Sequence, residues 1–288
     1  MTTRIPEIKI DRAWIGPPDA AFNPTVALCV LTLAGYALGV VAALQGVVPV
    51  PLAVGWLGFC LYLGFTVLHE AMHGIAHRSK RIGNAMGRLW GLLLLVPMPL
   101  FRGVHHAHHA HTNDPERDPD LFCAAGPWFL RPLALLGVPL AYRWHFYSQR
   151  LWRDRASLRE SVATDLALVA FFTWALAFGP AQWVLLLWLL PAALAVFWLA
   201  LAFDYVPHYP LTQQGRYVDT RIYPGRIANL LLLGQNYHLI HHLWNTIPWY
   251  RYQQVFRARE QELRERGCPI GWVQPARARR PDPAGSPA

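Results

Sequence analysis

The sequence predicts an all-α integral membrane protein: four transmembrane helices in two hairpins, with a cytoplasmic helical cap carrying the histidines. Three observations lead there. First, 54% of the 288 residues are hydrophobic and only 15% are charged, with 13 tryptophans and a mean hydropathy of +0.20; a soluble domain carries about 25% charged residues. Second, the apolar stretches 25–48, 50–68, 162–179 and 182–203 are long enough, or nearly so, to cross about 30 Å of hydrocarbon. Third, the 26 Lys and Arg avoid "VPVP" and "GPAQ", the turns that join the stretches in pairs. Three basic residues precede the first stretch, 12 lie between residues 69 and 160, and 11 follow residue 204. Two hairpins put those three segments on one side, which the positive-inside rule makes the cytoplasm. Both termini and the histidines are expected there. The formal charge of +9 is then topology and lipid contact, with no nucleic-acid partner implied.

Residues 1–24 are polar and proline-bearing; they read as an interfacial segment and hold no secretory signal peptide. Residues 25–266 form one membrane domain. Within it, "LWGLLLLVPMPLF" (89–101) and the stretch around 128–142 are too short to span and are broken by Pro or Arg, so they are expected to be interfacial or re-entrant. Residues 250–266 predict a charged helix, with Glu260 and Glu262 facing Arg264 and Arg266 at i,i+4 and Gly267 as its stop. Residues 267–288 are expected to be a largely disordered tail. Cys29, Cys60, Cys123 and Cys268 are far apart, without a CxxC, and read as reduced. Trp174, Trp188 and Trp198 read as helix packing rather than a lipid pocket.

All 13 histidines fall in the cap segments or at their junctions with the spans. Three clusters stand out: His69, His73 and His77 (HxxxHxxxH); His105, His108 and His109 (HxxHH within "HHAHHAH"); and His238, His241 and His242 (HxxHH). His208 stands alone in "DYVPHYP", and His145 reads as a helix-end residue. On a helix, i and i+4 share a face and i+3 lies beside them. HxxxH thus offers two imidazoles to one point and HxxHH is expected to offer three. Neutral imidazole binds Fe, Zn, Cu and Ni. With His208 the candidate ligands are too many for one tetrahedral zinc and suit two metals with open positions. "HEAMH" (69–73) by itself matches the HExxH zinc-protease signature, with Glu70 as base. A membrane metal carrier is a further alternative, but it should place polar ligands along the spans, near mid-bilayer, and the middle of each span is bare of charge and histidine.

HxxxH, HxxHH and a distal HxxHH around two hairpins resemble the membrane fatty-acid desaturase and hydroxylase superfamily over roughly residues 60–250. "HHAHHAHTNDPERDPD" and "GQNYHLIHHLWNTIPWY" look like its second and third boxes. The resemblance implies two Fe(II) ions held by His69, His73, His105, His108, His109, His208, His238, His241 and His242, with O2 as co-substrate. It leaves His77, His106 and His111 over as neighbours of the ligands or loop residues, makes "HEAMH" the first box, and puts Glu70 outside the ligand sphere. Such a centre removes hydrogen from an unactivated C–H bond; an alcohol results if oxygen is returned, a double bond if a second hydrogen is lost. A ligating histidine usually gives its other N–H to a carboxylate or carbonyl, so Asp114, Asp118, Asp120, Asp204 and Asn236 are candidate partners; "NDPERDPD" reads equally as a loop-closing turn. No flavin, NAD or haem motif is visible, so electrons must come from an external donor, expected to be an acidic ferredoxin-like protein on the basic face. "FDYVPHYP", "GRYVDTRIYPG" and "RERGCP" look most like bacterial β-carotene hydroxylases, which implies hydroxylation of ring carbons to cryptoxanthin and zeaxanthin; Asn245 departs from the pattern where proline would stand. An acyl-lipid desaturase is the alternative within the superfamily.

Overall fold

A computed structural model describes residues 7–16 and 19–271. Four helices in it are long and apolar enough to cross a membrane: α1 (Pro24–Leu44), α2 (Val50–Met72), α6 (Arg155–Phe178) and α7 (Ala181–Tyr205). Each boundary has a local cause. Asn23 Oδ1 accepts from the N–H groups of Thr25 and Val26 at 2.9 and 3.2 Å, which caps α1. Gly46, at φ +69°, ends it four residues before the apolar stretch does. Past the expected limit at residue 68, α2 keeps its backbone ladder to Met72, so His69 and Glu70 sit on its last turn. Asp154 caps Ser157 N–H at 2.7 Å, which starts α6 one to two turns ahead of the apolar stretch. Gly179, at φ +105°, closes it.

The hairpins put the start of α1 beside the end of α2, where Asn23 Nδ2 donates to the Ala76 carbonyl at 3.2 Å. Stretch 89–101 is not one element. Helix α3 (Lys80–Leu93) ends, Leu95 takes φ +60°, and α4 (Met98–His111) leaves at 94° behind Pro97. This bend matches the re-entrant expectation and aims the second histidine box back at the end of α2. Close approach of α3 to α2 uses small residues, as in other membrane helix pairs. Gly64 lies flat against the Trp90 ring, and a Cβ there would overlap it; Trp90 is fully buried. Helix α5 (Arg131–Ser148), with Pro139 inside it, turns Leu133, Leu140 and Trp144 outward, as an interfacial helix would. His145 sits in its last turn, bonded to Gln149.

The distal cap comprises α8 (Arg226–Leu231), α9 (His238–Leu243) and α10 (Tyr252–Glu265). It forms a second apolar core around Ile222, Leu239, Ile240, Tyr252 and Leu263, into which Ile8 also packs. Gly267 stops α10 at φ +72°. Glu260 pairs with Arg264 at 2.6 Å as expected. Glu262 does not pair with Arg266: it meets Arg259 at 2.8 Å, and Arg266 reaches the Glu262 carbonyl instead, satisfying an end-of-helix acceptor. Residues 267–271 are packed rather than loose, since Cys268 is buried and Ile270 bridges Ile222. The rest of the expected tail, 272–288, lies outside the described residues. All four cysteines are free and buried. Trp188 packs on Phe171 and Phe172 and bonds the Leu93 carbonyl, whereas Trp198 lines a lipid-facing groove. Turn 244–247 closes without the proline, through Ile247 N–H to the Trp244 carbonyl at 2.9 Å.

Replacing Gly64 with Ala should push the Trp90 ring off α2. The expected loss is about 1–3 kcal/mol, seen as a lower thermal unfolding midpoint in detergent.

Candidate metal centre

The last turn of α2, the length of α4, the segment after α7, and α9 converge at one end of the bundle. Eight of the nine expected ligands fall into two groups whose ring nitrogens lie within 4.8 Å of one another: His69, His73, His105 and His241; and His108, His208, His238 and His242. The ninth, His109, joins the first group, with Nε2 at 3.0 Å from His105 and 2.9 Å from His241. His109 and His242 lie ring to ring at 4.3 Å where the groups meet.

HxxHH does not offer three imidazoles to one point. In α4, His105 and His109 point to the first group and His108 to the second. In α9 the split is reversed: His238 and His242 serve the second group and His241 the first. Helical geometry is the reason, because i and i+4 nearly eclipse while i+3 is rotated to the side.

The chemistry of this donor set fits two metals. Within the first group, Nε2 of His69 lies 3.2 Å from that of His105 and 3.1 Å from that of His241. Within the second, Nε2 of His242 lies 3.3 Å from that of His108 and 3.2 Å from that of His238. Nitrogens that share a cation at about 2.1 Å each are spaced by about 3.0–3.4 Å at their common bond angles. Burial first, and the neighbouring imidazoles second, hold His105, His109, His238, His241 and His242 well below the usual histidine range. They are neutral, with lone pairs to give. Both ring nitrogens of buried His208 lack a hydrogen-bond partner, as does Nε2 of His73. A bound cation would satisfy these orphaned acceptors.

Outer partners orient several of these rings. Asp118 Oδ1 meets His108 Nδ1 at 2.8 Å and Asp120 Oδ2 lies at 3.3 Å. Burial opposes protonation of His108, but the Asp120 and Asp118 carboxylates outweigh it and raise His108 to about 10. Of the other expected partners, Asp114 only closes its own turn, on Glu116 and Arg117. Asn236 bonds no histidine, because its amide N–H is spent on the Tyr223 carbonyl at 2.7 Å. Asp204 bonds no histidine. His77 accepts from Ser79 N–H in the turn ahead of α3 and stands outside both groups. His106 is exposed and His111 half-buried. Sequence reasoning missed three partners. Tyr252 Oη lies 3.0 Å from His241 Nδ1, Gln235 Oε1 3.3 Å from His238 Nδ1, and Thr112 Oγ1 3.5 Å from His242 Nδ1. Gln235, three residues before His238, was legible from helical spacing; Tyr252 reaches back from another helix and carries no spacing signal.

Glu70 settles the HExxH question. It is fully buried and accepts from Trp249 N–H at 3.1 Å. A protease base must reach a water on the metal; this carboxylate instead ties the segment after the third box to α2.

The two sides of the centre differ. One polar cavity of about 480 Å³ reaches His73 between Lys80, Arg102 and His106, and another of about 430 Å³ reaches His109 and His242. Against the other side lies a narrow apolar slot of about 50 Å³ between α2, α4, α5 and α7, walled by Phe65, Phe101, Val138 and Leu199. Phe101 stacks on His105 at 5.3 Å and Phe65 lies 5.9 Å from His69.

A sequence profile described as fatty acid desaturase matches residues 21–274. The chain belongs to the fatty acid desaturase family. It is an oxidoreductase of membranes, with the histidine clusters of a desaturase or oxygenase that acts on lipid-soluble substrates. It is similar to the dihydrorhizobitoxine desaturase of Bradyrhizobium elkanii, 26% identical over 74% of this chain and 68% of that one. The β-carotene ketolase of a Paracoccus species is 28% identical over 69% of this chain and 75% of the ketolase. The chloroplastic omega-6 fatty acid desaturase of Arabidopsis thaliana is 27% identical over 75% of this chain, which spans about half, 53%, of that relative. Closeness to β-carotene hydroxylases in particular does not come out of these comparisons.

Tyr252→Phe should reduce turnover by about 10–100-fold, the usual loss when an outer partner of a ligand is removed, with the fold intact by circular dichroism. In the metal-free protein His108 is protonated below about 10, and a cation must displace that proton. Metal uptake should therefore tighten as pH rises from 6 to 8, measured by titration of the apoprotein. Asp118→Asn should flatten that dependence, because it removes one of the carboxylates that hold the proton.

Proposed function

We propose that this protein is an O2-dependent di-iron oxygenase that hydroxylates ring carbons of β-carotene, giving cryptoxanthin and then zeaxanthin. The mostly apolar slot carries the lipid part of this reading: two of its walls, Phe65 and Phe101, pack directly on His69 and His105. The carotenoid part rests on the "FDYVPHYP" resemblance and on two relatives whose names place them on carotenoids, the β-carotene ketolase and a zeaxanthin 4-ketolase of Chlamydomonas reinhardtii.

His69, His73, His105, His109 and His241 would hold one iron, and His108, His208, His238 and His242 the other. Ferrous iron on such ligands supplies reduction of O2 and cleavage of an unactivated C–H bond. The remaining work belongs to the chain. Phe65 and Phe101 wall the slot, exclude water, and set which carbon lies over the rings. Asp118 and Tyr252 fix His108 and His241 by their outer nitrogens. Each hydroxylation takes two electrons and two protons besides O2. The cavities at His73 and at His109 share no lining residue with the slot, and Lys80, Arg102 and Arg153 make the first basic. An acidic ferredoxin-like donor suits that face. The orientation proposed with this reading, both termini and the histidine boxes on the cytoplasmic side, rests on the placement of the basic residues in the sequence.

A second reading, acyl-lipid desaturation, draws on the omega-6 desaturases among the relatives. One experiment separates the two. The protein is expressed in cells that make β-carotene, pigments and acyl chains are profiled, and iron and zinc are assayed in the purified protein. Two irons per chain with zeaxanthin formed is the expected outcome, and His241→Ala should abolish both the product and about half of the iron. New double bonds in the acyl chains with unchanged β-carotene would move the assignment to the second reading. Zinc without iron would sink both.

A further inference from the structure

The slot has one feature that a pure hydrocarbon would leave unused. Of the residues that line it, only Tyr142 and Asp204 carry polar side-chain atoms. Tyr142 is engaged, its hydroxyl donating to Asp120 at 2.8 Å. Asp204 is not. Its single hydrogen bond among the described residues is the weak one from Cys123 Sγ to Oδ2 at 3.8 Å, which leaves Oδ1 without a donor; the residue stands between the slot and a smaller cavity of about 20 Å³ that it shares with Asp118, Asp120 and His208. The neighbouring carboxylates are occupied: Asp118 accepts from Asn113 N–H, Asp120 N–H and His108, and Asp120 from Tyr142.

Backbone geometry directs Asp204 to this place. Residues Ala200–Tyr205 of α7 form a π-helical turn, a local widening that recurs at functional sites. An acceptor held in an apolar wall without a donor is unfavourable, and a ligand that brings the donor relieves it. An amine is excluded as that donor, since the rest of the wall is aliphatic and aromatic and would strip a cation of water. A neutral hydroxyl suits it.

We infer that Asp204 is a specificity residue that accepts a hydrogen bond from a hydroxyl on the lipid, so that the slot holds a hydroxylated ring or chain in preference to the bare hydrocarbon. This rests on the lipid-oxidation reading above and adds to it. A carotenoid already hydroxylated would be retained at the site, not merely released from it.

The test is competitive retention by the purified, iron-loaded protein in detergent. Two probe pairs are offered at equal concentration, β-carotene with zeaxanthin and octadecane with 1-octadecanol, and bound lipid is extracted and quantified. The natural protein should enrich the alcohol of a retained pair by at least about tenfold, since a site built to bond a hydroxyl rejects the analogue that lacks it. Asp204→Leu should bring the ratio to near one while total lipid bound is kept, and Asp204→Asn, which retains an acceptor oxygen, should keep most of the preference. Equal retention of both members by the natural protein overturns the assignment of Asp204 and leaves the oxidation reading standing. So does a preference that survives Asp204→Leu. Retention of no probe from either pair overturns both. Should Asp204→Leu fail to fold, the ratio in the natural protein and in Asp204→Asn still decides.

Discussion

The 100° step of the α-helix is the constraint on which this structure depends. It divides each HxxHH box between two clusters, so neither cluster can form from one segment. The first group needs α2, α4 and α9; the second needs α4, α9 and the segment after α7. Chain segments as far apart as His69 and His241 must therefore meet within hydrogen-bonding distance, at 3.1 Å. Nine imidazoles packed this way are unfavourable by themselves. Apart from His108, which its carboxylate neighbours keep protonated, the rings crowd neutral nitrogens together, and neither ring nitrogen of His208 has a hydrogen-bond partner. Cation binding would turn that deficit into cohesion, linking metal uptake to the stability of the cap.

Around this centre the surroundings are of two kinds. Aromatic rings on α2 and α4 stand between the nitrogens and the apolar slot. Polar cavities open at His73 and at the seam between His109 and His242. The bend between α3 and α4 makes this arrangement possible, because it returns a histidine-bearing helix against the end of α2 instead of carrying it across the bilayer. Glu70 serves the same end by tying Trp249, and with it the run into Tyr252, to the last turn of α2.

Relatives of this chain are named as desaturases and as carotenoid ketolases. Likeness across the family therefore does not choose the reaction. The choice falls to the residues that set which carbon rests on the rings and what its neighbours bond. In the proposed reading those are the slot walls and Asp204, which sequence reading had enlisted as an outer partner of a ligand and which bonds no histidine but lines the slot.

The sequence by itself determined the class and most of the parts. Apolar length marked four spans to within a turn or two, since burial in lipid needs a fixed hydrophobic length whatever the neighbours are. The spacing of His69, His73, His105, His108, His109, His238, His241 and His242 marked a shared centre, because helical periodicity is local. Asp118 beside its box was legible for the same reason. Only the tertiary structure decided which histidine belongs to which group, that Tyr252 holds His241, that Asn236 holds backbone and Glu70 the Trp249 amide, and that Asp204 lines the slot. These are contacts between segments distant in the chain, and their geometry is set by how helices cross and bend, which no one-dimensional period records.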